Sequence, residues 1–104
     1  MIYPDRATLM TGGGKDPKTG YAIPYVDSGT YPASVIPLSS SESVKAGSAP
    51  VVAYYKLIIG KQGSILTPTS QVKWRGRTFS VQGDVEPWRV HGRIHHYEAT
   101  LKNA

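Results

Sequence analysis

Residues 71–88 read QVKWRGRTFSVQGDVEPW, two short runs with one apolar face each on either side of a glycine turn. Val72 and Trp74 alternate with Gln71, Lys73 and Arg75, and Phe79 and Val81 alternate with Thr78, Ser80 and Gln82. A period of two marks strands with one face buried. Arg75-Gly76-Arg77 supplies the turn, because Gly76 takes the positive φ of a tight hairpin without steric cost. Gly83-Asp84 reads as a second reversal, and Glu86-Pro87-Trp88 as a corner in which Trp88 covers a barrel end. Val72, Trp74, Phe79, Val81 and Trp88 are therefore the expected core of a barrel hairpin.

The sequence outside this stretch points the same way. Eleven glycines and eight prolines lie among short runs rich in Val, Ile, Tyr and Thr, which argues against long helices and for short strands joined by turns. The expected fold is mainly β, a small antiparallel β-barrel with long loops. At 104 residues the expectation is a single domain over residues 1–104, with one modest core. Ala7, Leu9 and Thr11 alternate with polar neighbours in a first strand, Asp5 to Thr11. Gly12-Gly13-Gly14 and Lys15-Asp16-Pro17-Lys18-Thr19-Gly20 follow. They lack the spacing of a phosphate cradle and read as a long hairpin loop.

Tyr21 to Tyr25 and Thr30 to Leu38 read as extended pieces, with Pro32 placing the second at an edge or a strand beginning. The segment between Leu38 and Pro50, SSSESVKAGSA, has no large apolar residue except Val44; it reads as a loop or at most a short capped helix. Val51 to Ile59 is apolar on both faces, as expected of a central strand or of one covered by a neighbouring subunit. The last strand, Arg93 to Lys102, places His95, Tyr97, Ala99 and Leu101 on its apolar side and His96, Glu98, Thr100 and Lys102 on its polar side.

Charge and composition exclude several functions. The formal charge is +5, and from Lys61 onward seven basic residues face three acids, Asp84, Glu86 and Glu98. That surplus attracts polyanions or an acidic protein face, although a solvated basic surface is the commoner meaning. Cysteine is absent, so no disulfide or thiolate site is expected. Asp5 and Arg6 stand where a signal peptide would begin its apolar core, and the longest apolar run is too short to span a bilayer. A cytoplasmic site of assembly is expected, with no membrane partner.

No constellation carries catalysis. His91, His95 and His96 cluster near Glu98, but on a regular strand His95 and His96 point to opposite faces and share no metal unless a bulge intervenes. The serines of SSSES have no histidine fixed near them, and no nucleophile elbow is present. Neither a metal nor any other cofactor is expected. Trp74 and Phe79 alternate in phase with Val72 and Val81, as core does, whereas a nucleic-acid stacking platform would share its row with the arginines. Contact with phosphates through charge alone stays open.

The chain resembles the head-completion proteins of long-tailed double-stranded DNA phages, also called head-to-tail stopper or head-closure proteins. The matching elements are an early strand with a polar loop, TYPASVIPLSSSESVKAG, the VKWRGRTFSVQGD hairpin, and the tryptophan corner before GRIHHYEATLK. The glycine-rich first loop and SSSESVKAGSAP depart from the family's pattern. The resemblance implies a structural protein of the virion neck without enzymatic activity. It would form a homo-oligomeric ring, a dodecamer by that resemblance, that closes the DNA channel after packaging. The portal or adaptor protein would lie on its head side and the tail terminator or tail tube on its tail side, with non-specific contact to packaged double-stranded DNA. By the same resemblance Ser39, Ser40, Ser41, Glu42, Ser43, Val44, Lys45, Ala46 and Gly47 match a channel-facing gating loop, with an ordinary surface loop as the alternative. The rival functions are a tail terminator or other neck ring protein, and a small basic barrel that binds nucleic acid directly.

Overall fold

The alternation of the sequence is realised in six strands: β1 (Asp5–Thr11), β2 (Val26–Pro37), β3 (Tyr54–Ile59), β4 (Gln71–Trp74), β5 (Arg77–Val90) and β6 (Arg93–Asn103). The computed structural model describes residues 3–38 and 52–103. The strands close into an antiparallel barrel in the order β1-β2-β3-β6-β5-β4. Among the described residues the helical content is one 3-10 turn, Lys61–Ile65, and no helix is long and apolar enough to cross a membrane.

Register explains what fills the barrel. Leu9 lies opposite Val72, Ala33 opposite Ile59, Val35 opposite Leu57, Leu57 opposite Ala99, and Val81 opposite Leu101. These residues and Ala7, Leu66 and Phe79 form one buried cluster. The alanines Ala7, Ala33 and Ala99 leave room for Phe79, the largest fully buried side chain, in the small-against-large alternation that fills a narrow barrel. One end is closed by aromatics. The Tyr55 and Phe79 ring centroids are 5.1 Å apart, edge to face, and Trp74 lies 6.0 Å from each of them. The other end is closed by Leu66 and the 3-10 turn. There a Cβ on Gly63 would approach Ile59 Cγ2 to 2.7 Å and Tyr97 Cβ to 2.8 Å, so glycine is what lets the turn seat.

Two hairpins are set by paired left-handed residues. Arg75 and Gly76 have φ of 52° and 71°, and His91 and Gly92 have 51° and 77°. Positive φ at both central positions is the two-residue turn whose twist matches flanking strands. The expected reversal at Gly83-Asp84 does not occur. β5 continues through it with two extra residues between Gln82 and Glu86, and Gly83, at φ 72°, takes the left-handed conformation within a bulge rather than a turn. The chain turns back at His91-Gly92 instead.

Trp88 is the second correction. It is 48% exposed, not a barrel cover, because β5 beyond the bulge pairs with β6 alone and has left the closed sheet. Val72, Phe79 and Val81 are buried, and Trp74 packs half-buried against them. Of the strand expected over Val51 to Ile59, Tyr54–Ile59 forms β3, Val52 and Ala53 precede it, and Val51 lies outside the described residues. Tyr21 to Tyr25 belongs to the first loop rather than to a strand, with Lys15 bridged to Ala22. The Gly13 amide donates to Ile23 O and the Ile23 amide to Gly14 O, so the glycine run pairs back on the loop as a hairpin extension. Pro32 sits opposite Arg6 in β1, just before β3 begins to pair at Ala33. There β2 has a neighbour on one side only, a position that tolerates proline.

Phe79→Ala should lower the unfolding free energy by roughly 3 to 5 kcal/mol, the usual range for a buried aromatic. Equilibrium urea denaturation checks this, and a loss below about 1 kcal/mol would mean that the aromatic plug does not close the barrel.

Candidate functional site

The strand directions divide the connections between two ends. At one end lie the Arg75-Gly76 turn, the start of β1 and the end of β6, and there β2 finishes opposite the start of β3 at Pro37 and Tyr55. Residues 39–47, the expected gating loop, fall outside the described residues, but their anchors do not. The Leu38 amide donates to Tyr54 O, the Asn103 amide to Ala53 O, and the Ala53 amide to Asn103 Oδ1. Asp5 anchors the same end, accepting from the Val35 amide at 3.0 Å and facing Arg75 at 4.0 Å, while the Arg75 guanidinium lies 4.7 Å above the Trp74 ring.

The opposite end carries the first loop, the 3-10 turn and the free part of the β5–β6 hairpin. Thr69 Oγ1 donates to Gly12 O at 2.9 Å, tying the first loop to the turn that precedes β4. The hairpin is a ribbon of two strands, since β3 stops pairing with β6 at Tyr97 and β4 stops pairing with β5 at Ser80. Two strands alone are marginal in water, and a chain of polar contacts braces this pair. Lys56 Nζ on β3 donates to Glu98 Oε1 at 3.2 Å, Glu98 Oε2 meets His96 Nε2 at 2.9 Å, and His96 Nδ1 meets His95 Nδ1 at 2.8 Å. His96 gives Nε2–H to the carboxylate, and the contact between the two Nδ1 atoms needs a proton on one ring or the other. The Trp88 ring lies parallel to the His96 ring at 5.9 Å between centroids, which leaves His96 7% exposed.

The contact between His95 and His96 was not legible in the period of two. Trp88 pairs with His96 but Arg89 with Ile94, so β6 gains one residue at His95. That bulge turns adjacent side chains toward each other. His95, expected on the apolar side, is exposed, and His96, expected on the polar side, is buried. Among the described residues no group of three or more metal-ligating side chains is placed to hold an ion.

Cross-strand pairs share a face, and the ribbon's two faces differ. On one, Glu86 lies opposite Glu98 and Trp88 opposite His96, and Lys56, Asp84, Glu86, Trp88 and Glu98 edge a shallow cleft of about 60 Å³. On the other, Ile94 and Tyr97 floor an open cleft of about 450 Å³ rimmed by Lys61 and Ser64 and, from the hairpin tip where it pairs with Val90, by Arg93. Burial works to raise the Glu98 carboxyl, but hydrogen bonds and positive charge from His96 and Lys56 outweigh it and hold it below the usual glutamate value.

A carboxyl lowered in the folded state stabilises the fold above its unfolded value, about 4.3, and that contribution is lost as pH falls through the lower folded value. The stability gap between wild type and Glu98→Gln should therefore shrink as urea titrations move from about pH 6 to about pH 3. A gap constant over that range would remove the brace as a charged contact. Chelator treatment should leave the melting temperature unchanged, and a fall would reverse the reading of the histidines.

Residues 5–102 match the family model described as phage head completion protein. No curated protein matches the chain.

Proposed function

The chain belongs to the phage head completion proteins, a family with a structural role in the phage head and neck, and from that premise we propose that it forms a ring below the portal or adaptor protein, closes the DNA channel after packaging and offers a docking surface to the tail. The match over nearly the whole chain carries the reading. The packing supports it, because a barrel filled by Phe79, Leu9, Leu57 and Leu101 and plugged at both ends leaves no passage for DNA. Such a chain bounds a channel only as one wall among several copies, the channel running between barrels.

The two-ended layout suits a connector acting as a single domain. Leu38 and Ala53, which flank residues 39–47 in the described chain, lie at one end and the ribbon projects at the other, so we assign gating and docking to separate parts of the molecule. The tail-terminator reading would call for a helix packed on the sheet, and the described residues have only the 3-10 turn. The nucleic-acid module loses its stacking row, since Phe79 is inside the barrel. Charge remains for non-specific contact with packaged DNA.

Shortening SSSESVKAGS should leave the barrel folded, because loop length costs little when the flanking strands stay paired. Particles assembled with the shortened loop should attach tails yet leak DNA. Normal DNA retention with normal tail attachment would remove the segment from the gating role, and loss of attachment would assign it to an interface.

A further inference from the structure

The ribbon of β5 and β6 is a charged element with unlike sides. Glu86 stands directly opposite Glu98, a like-charge pairing that weakens a sheet unless a cation answers it. Lys56 answers Glu98, whereas Glu86 and the neighbouring Asp84 have no ion-pair partner among the described residues. At the open cleft between the hairpin tip and the 3-10 turn the reverse holds. Lys61 and Arg93 rim the open cleft floored by Ile94 and Tyr97, and neither has a carboxylate partner among the described residues. Apolar surface accompanies both charges: Trp88 and Val90 are 48% and 49% exposed on the ribbon, and Ile65, at the end of the 3-10 turn beside the cleft, is 40% exposed.

We propose that the ribbon is the contact between copies of this chain, the Asp84 and Glu86 side of one copy seating in the Lys61 and Arg93 cleft of the next. The proposal rests on the ring reading above and names its interface. The occupant follows from complementarity of sign: each face lacks the charge that the other face of a second copy supplies, and each brings apolar surface that water exclusion rewards. The symmetry follows too. A two-fold dimer through either face would set like charge against like, while an acidic face on a basic face is a head-to-tail contact that repeats and generates a ring when its rotation closes. Trp88, aromatic and already held flat against His96, is placed to act as the anchor, with the carboxylates and cations setting register around it.

Two full-length variants test this. In one, Asp84→Lys with Glu86→Lys makes both faces basic; in the other, Lys61→Glu with Arg93→Glu makes both faces acidic. All four side chains are exposed or at the rim, and near-ultraviolet circular dichroism checks that each variant is folded. By sedimentation velocity, each variant alone should associate at least about tenfold more weakly than wild type, and an equimolar mixture should assemble again, because unlike faces then alternate around the ring. Wild-type oligomers that persist unchanged in both variants would overturn this contact and leave the ring standing. So would two variants that stay dissociated when mixed. A wild-type protein that remains monomeric at high concentration, and that cross-links to no second copy on assembled particles, would overturn both the contact and the ring.

Discussion

Closure of the barrel rests on three residue pairs between β1 and β4, Thr8 with Lys73, Leu9 with Val72 and Met10 with Gln71. Every other pair of neighbouring strands is joined over four residue pairs or more, and without this seam the sheet would expose two edges and open its interior to water. Leu9 and Val72, both fully buried, lie opposite each other at its centre, so the hydrogen-bonded ladder and the apolar core close in the same step. The two are far apart in sequence, so closure is a non-local contact whose loop-closure entropy only the folded register offsets. Much of the remaining architecture is a consequence: a narrow barrel must be filled rather than hollow, its alanines must stand where Phe79 needs space, and its ends must be plugged.

A filled barrel moves function to the outside. Tyr55 and Trp74 at one end and Leu66 with the Gly63 turn at the other leave no lumen in which a ligand or a strand of DNA would lie. What the fold offers instead is a rigid body with connections at two poles and a ribbon that leaves the closed sheet after the Gly83 bulge. One small core thus closes a filled barrel, and the proposed contacts fall to the segments that leave it.

The ribbon also shows how an exposed two-stranded element is kept in place. Lys56, Glu98, His96 and His95 form a continuous polar path from a strand of the barrel wall to the bulge in β6, and Trp88 shields it from one side. Each contact is modest at this degree of exposure. Together they tie the ribbon to the barrel wall, so that the contact proposed for it would not have to supply that ordering on binding.

Local chemistry made the strands legible. Alternation in Asp5 to Thr11, Gln71 to Trp74 and Arg93 to Lys102, and glycine at position 76, are properties of neighbouring residues along the chain, and the sequence alone determined an antiparallel barrel with Val72, Trp74, Phe79 and Val81 on its inner row, of which Trp74 is half-buried in the structure. The likeness to head completion proteins was also readable there, although the role of residues 39–47 was not. Only the tertiary structure decided that Trp88 faces water, that Gly83-Asp84 bulges while His91-Gly92 turns, and that His95 reaches His96. These depend on where β3 and β4 stop pairing and on one extra residue in β6, and a two-residue period carries no information about how long a neighbouring strand runs or where its register slips.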